Sequence, residues 1–101
     1  MRILCLDIPK EGVTVSDYAP HLLNETRHAW ELYKSEVIRD IYFRKDRPGV
    51  VIFAEADSVE EAQKACAEFP LAKAGLLTFE CIPFGPYGLW ESLFAEEHKS
   101  Q

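Results

Sequence analysis

No stretch of this sequence stays apolar for the roughly 18 residues that would mark a membrane-crossing helix. Basic charge is also short: 11 Lys and Arg stand against 17 Asp and Glu, for a net charge of −6. The densest basic cluster, Arg44-Lys45 with Arg47, reads as a hairpin tip. A protein that grips bare phosphate backbone carries a basic face instead, so neither nucleic acid nor an anionic membrane surface is an expected partner. No secretory leader is expected either, because Met1 to Asp7 reads as a strand whose apolar run is broken by an acid. The three cysteines, Cys5, Cys66 and Cys81, are widely spaced and form neither a CxxC nor a zinc pattern. Small packed thiols in a reducing cytoplasm account for them. Cys5 and Cys81 fall on strands expected to be neighbours, which leaves a disulfide open. Without repeats, low-complexity tracts or linkers, the 101 residues read as one domain.

The pattern present alternates strands and helices. Arg2 to Ile8 reads as a strand ended by Pro9, and Ser16 with Asp17 as the start of a helix. That helix is expected to bury Leu22, Leu23, Thr26, Ala29, Trp30 and Tyr33 and to end near Ser35. Val37–Arg44 and Val50–Ala56 read as a hairpin around Asp46-Arg47-Pro48-Gly49. Ser58-Val59-Glu60-Glu61 has the form of a capping box, opening a helix that Pro70 terminates. A fourth strand runs from about Leu76 to Phe84. Beyond it, Leu89, Trp90, Leu93 and Phe94 make one face of a short helix, expected to dock on its own domain or on a neighbour. The polar end, Glu96 to Gln101, is expected to be disordered.

The order β-α-β-β-α-β, with right-handed crossovers, predicts a four-stranded antiparallel sheet with both helices on one face. This is the α+β, ferredoxin-like class. The first and third strands carry apolar residues on both faces. The uncovered face therefore predicts a second sheet packed against it, as in a face-to-face homodimer.

Three segments carry a resemblance: Val37-Ile38-Arg39-Asp40-Ile41-Tyr42 with its hairpin, Asp57-Ser58-Val59-Glu60-Glu61-Ala62, and Phe69-Pro70-Leu71 followed by Leu77-Thr78-Phe79-Glu80-Cys81. They resemble the muconolactone isomerase-like family, over most of the chain to about Pro86. The resemblance implies a dimeric α/β barrel, often built into larger rings. It also implies chemistry without cofactors, since lactone isomerases and cofactor-free oxygenases belong to the family alongside members of no known activity. By position, Arg39 matches a family arginine, Tyr42 an aromatic residue, and Glu55 and Glu80 acids.

A four-residue hairpin loop would set Arg39 opposite Ala56 and Ile41 opposite Ala54, leaving room beside the guanidinium for a carboxylate or enolate. Pairing of Arg39 with Asp7 is the structural alternative. The other hairpin face would set Asp40 against Glu55, either as an ion network or as a carboxylate with raised pKa. His21, Glu25 and His28 share one side of the first helix at metal-ligand spacing, but that side lies opposite the apolar stripe and reads as solvated. No metal is therefore expected.

The reading that gathers these features is a cofactor-free isomerase of a small carbonyl or lactone compound bearing an acid group. Arg39 would hold the anion, Trp30 and Tyr42 would line the pocket, and His28 or Glu80 would move the proton. The alternative is a non-catalytic module for small-ligand binding or oligomeric assembly.

Overall fold

The structure is a computed structural model and describes residues 1–99, with side chains described to Ala95. Ser100 and Gln101 lie outside the described residues; of the end expected to be disordered, residues 96–99 instead continue the last helix. Strand β1 (Arg2–Pro9) leads into a one-turn helix α1 (Val15–Tyr18), a 3₁₀ turn (Ala19–His21) and the long helix α2 (Leu22–Lys34). Strands β2 (Ile38–Phe43) and β3 (Val50–Glu55) form the hairpin. Helix α3 (Val59–Ala67) and the one-turn helix α4 (Pro70–Lys73) precede β4 (Leu77–Phe84). A 3₁₀ turn (Gly88–Trp90) and α5 (Glu91–Lys99) close the chain.

The strands lie in the order β2-β3-β1-β4, all antiparallel. Alternation along them gives one face to Ile3, Cys5, Asp7, Ile52, Ala54, Leu77 and Phe79, all buried under the helices. Ala62 and Cys66 from α3, then Phe69 and Leu71, complete this core. The fold is the expected α+β, ferredoxin-like arrangement.

Local chemistry explains most boundaries. Ser58 Oγ accepts from Glu61 N–H at 3.2 Å, and a Glu61 carboxylate oxygen accepts from Asp57 N–H at 3.0 Å, which caps α3. Thr14, two residues before the expected Ser16, caps α1, and the Asp17 carboxylate accepts from Thr14 N–H at 2.7 Å. Pro70 does not merely stop α3. It occupies the first turn of α4, where its missing N–H costs nothing. Helices α2 and α4 end in the same motif, with 6→1 bonds from Val37 N–H to Leu32 C=O and from Leu76 N–H to Leu71 C=O. The left-handed residue is Gly75 in one and Glu36 in the other.

Three expectations are corrected. The hairpin loop spans residues 44–49, because Arg44 Nε donates to Asp46 at 2.9 Å and Arg44 N–H donates to Gly49 C=O at 2.9 Å. Phe43 therefore faces Val50 and Ile41 faces Ile52, a shift of two residues. An irregularity between Ile38 and Asp40 then takes Arg39 out of the alternation, so Arg39 never meets Ala54 or Ala56. Asp40 faces Phe53 rather than Glu55, whose carboxylate takes the Met1 ammonium at 2.9 Å.

Helix α2 is rotated relative to its expected stripe. Leu23, Trp30 and Tyr33 are exposed, while Glu25, His28, Ala29 and Leu32 are half-buried. The reason lies in unsatisfied groups on its neighbours. Glu25 accepts from Leu71 N–H at 2.9 Å at the start of α4, and His28 Nε2 bonds Ala65 C=O at 3.1 Å near the end of α3. Helix α5 does not dock on the domain: Leu89, Trp90, Leu93 and Phe94 all remain more than half exposed. The described residues extend to 65 Å along the long axis as a result.

Candidate functional site

The helices do not close fully on the sheet. Between α1, α2 and the β2–β3 end lies a cavity of about 530 Å³, within the roughly 300–1,000 Å³ of small-molecule sites. Ile41, Val50, Leu77 and Phe79 form its apolar floor, and Leu22, Thr26 and Ala29 its roof. Four ionisable residues border it: the acids Asp7 and Glu25 and the phenols Tyr18 and Tyr42.

Asp7 sits on β1 with 2 % exposure, on the core face of the sheet. A buried carboxylate needs donors, and the hairpin loop supplies them. Arg47 Nη1 donates to Oδ2 at 3.1 Å, Val50 N–H donates to Oδ1 at 3.0 Å, and Arg47 Nη2 donates to the Asp7 carbonyl at 2.6 Å. The partner of Asp7 is thus Arg47, not Arg39. Gly49 makes this approach feasible, because a Cβ there would stand 2.6 Å from Asp7 Oδ1.

Glu25 reaches the cavity from α2. Burial pushes its carboxyl above the ordinary carboxylate range, and the Leu71 N–H bond offsets only part of that rise. The bond engages Oε1 and leaves Oε2 available to take a proton. Burial also pushes the Tyr18 phenol up, with the Asp7 charge adding to the rise. Thr26 Oγ1 donates to Leu22 C=O at 2.8 Å, so its hydroxyl can only accept from a ligand. Tyr18 and Tyr42 thus bring phenol groups to the cavity wall, and burial makes the Glu25 carboxylate more basic than an exposed one, within apolar walls.

The residues singled out from sequence fall in four places. Tyr42 borders this cavity along the β2 edge, while its ring packs edge-on to Phe53 at 6.3 Å. Arg39 and Trp30 share a smaller hollow of about 390 Å³ with Tyr33, Lys34, Glu36 and Ile38. There Trp30 stacks on Tyr33 at 5.7 Å, and Arg39 Nε donates to Glu36 C=O at 3.0 Å. His28 Nε2 must carry the hydrogen, since a carbonyl only accepts, and its ring meets Phe69 edge-on at 4.5 Å. Glu80 lies opposite Leu6 on the sheet face away from the helices. His21, Glu25 and His28 do not converge on a common point. Among the described residues, the one group of three candidate metal ligands is Cys5, Cys66 and Cys81.

Sequence reasoning missed Asp7, Tyr18 and Arg47 as a set. A signal for Asp7 was present: an acid two residues past Cys5, continuing the core-facing alternation of Ile3 and Cys5, calls for a buried donor.

No protein-family model matches the chain, and no curated protein matches it by sequence. Among solved structures, it is similar to 5-chloro-2-hydroxyhydroquinone dehydrochlorinase from Burkholderia phenoliruptrix, determined in complex with 2,5-dihydroxybenzoquinone. The TM-score is 0.69 at 19 % identity, over 84 % of this chain and 94 % of that one. The likeness defines the fold. No described helix is long and apolar enough to cross a membrane.

Proposed function

We propose that this chain is a small cofactor-free enzyme that moves a proton on a neutral, apolar-bodied hydroxy-aromatic or carbonyl compound. The observation that carries the reading is Glu25, a carboxyl raised by burial on the wall of an apolar cavity. A general base works best when its pKa approaches the operating pH, and burial is the usual means of raising a carboxyl toward it.

In this scheme Oε2 of Glu25 takes a proton from carbon or oxygen of the bound compound. The Tyr18 hydroxyl donates to the oxygen on which negative charge develops. Return of the proton from Glu25 to a different atom completes an isomerisation. Arg47 neutralises Asp7, and Asp7 in turn anchors the loop that forms one end of the cavity. Two acids and no unpaired cation border the cavity, so a neutral compound fits better than the anionic one expected from Arg39. Tyr42 is a wall residue in this scheme, whereas His28, Glu80 and Arg39 do not line the cavity. The ligand in the similar dehydrochlorinase structure is a flat, oxygen-bearing ring of comparable kind. Solvent-deuterium incorporation into cyclic diketones and dihydroxy-aromatic compounds, compared between the native chain and Glu25→Gln, tests the reading.

The chain is further proposed to act as a homodimer or a higher oligomer. Leu4, Leu6, Val51, Phe53 and Ile82 lie on the helix-free sheet face, and no described element covers them. A second copy laid on that face would bury it. The exposed stripe of α5 offers a second contact of the same kind.

A further inference from the structure

We propose that Cys5, Cys66 and Cys81 together form a binding site for a trivalent, thiophilic ion of the arsenite class. The three thiols come from different elements. Cys5 and Cys81 are paired positions on β1 and β4, with the Cys81 thiol donating to Cys5 Sγ at 3.5 Å. Cys66 reaches down on them from α3, and all three sulfurs lie within 4.8 Å of one another. Sulfur donors select soft ions over hard ones. With sulfur bonds of about 2.3 Å, three ligands around a pyramidal trivalent centre stand about 3.4 Å apart; Cys5 and Cys81 already meet at 3.5 Å, and Cys66 lies within 4.8 Å of both.

Coordination number and charge choose among the soft ions. No fourth His, Cys, Asp or Glu joins the group among the described residues. Cys5 is 0 % and Cys66 5 % exposed, leaving little room for water as a further ligand. A tetrahedral zinc site therefore lacks its fourth donor. Three thiolates around a monovalent or divalent cation would also leave net negative charge in the core, and no described basic side chain pairs with these sulfurs. Three thiolates around a trivalent centre are neutral. The reaction with arsenous acid balances as a substitution: three S–H and three As–OH bonds break, three As–S bonds form, and three waters leave. Arsenic stays trivalent, so no oxidant is involved. Half-buried Cys81 provides the point of entry.

Native mass spectrometry of the phosphine-reduced chain after incubation with sodium arsenite and desalting tests the site. The expected result is one arsenic per chain, less three hydrogens, with all three thiols protected from alkylation. Cys81→Ser and Cys66→Ser should each weaken retention by more than about tenfold. Arsenite that leaves the native thiols open to alkylation would overturn the proposal. So would equal retention by a folded Cys81→Ser chain, or zinc that displaces arsenite at equal concentration. Cys81 is the least buried of the three, so Cys81→Ser decides the matter if Cys66→Ser fails to fold, with circular dichroism reporting the fold of each variant.

Discussion

The Asp7 carboxylate occupies the space where a side chain at residue 49 would begin, with Oδ1 2.6 Å from the position of a Cβ on Gly49. Arg47 Nη1 would stand 2.7 Å from the same point. Gly49→Ala must therefore displace the carboxylate or the loop. The expected cost is about 1–3 kcal/mol of stability, as for other overpacked sites, with weakened ligand binding in the cavity. Chemical denaturation checks the first effect, and an unchanged midpoint would contradict the packing described.

Glu25 makes a prediction about pH and stability. Its folded-state pKa lies above the ordinary value of 4.5, so the folded chain holds this proton more tightly than the unfolded chain. Its contribution is most favourable below the ordinary range and declines as pH rises through the folded value. Glu25→Gln can keep the acceptor for Leu71 N–H and removes the titration. The variant should therefore gain stability relative to the native chain as pH rises from 4 toward neutrality, by about the same sign at every step. Thermal melts across that range would show it. A native chain that gains on the variant with rising pH would contradict the burial argument.

His28 is predicted to be structural. His28→Ala loses the bond to Ala65 C=O and the edge contact with Phe69, worth together about 1–3 kcal/mol. Turnover per folded molecule should persist, because the imidazole does not line the cavity. Loss of turnover in a variant that melts like the native chain would restore a catalytic role.

The helix-free sheet face predicts self-association. Leu6→Lys places a charge at the middle of that face, where Leu6 is flanked by Val51 and Glu80. Sedimentation should find the native chain as a dimer or larger at micromolar concentration and the variant shifted toward monomer. A native monomer would remove the argument from the uncovered face.

Much of the fold was legible because it rests on local chemistry. The Ser58 cap, the β-branched strands and Pro9 each act within a few residues, and they place most elements close to where they lie. The site was less legible because long-range pairing assembles it. Arg47 reads as a solvated hairpin tip until Asp7, 40 residues away, draws it in. The rotation of α2 depends on the backbone groups of Leu71 and Ala65, which periodicity within the helix cannot reveal. Arg39 was misplaced for a related reason. The Arg44–Asp46 contact widens the hairpin loop, and the bulge then breaks the strict alternation on which its facing was argued.

Proton transfer by Glu25 is read out by deuterium incorporation from heavy water into cyclic diketones and dihydroxy-aromatic compounds. Incorporation with the native chain should rise with pH as Glu25 loses its proton, and folded Glu25→Gln should show none above background. Equal incorporation by the two chains would contradict it.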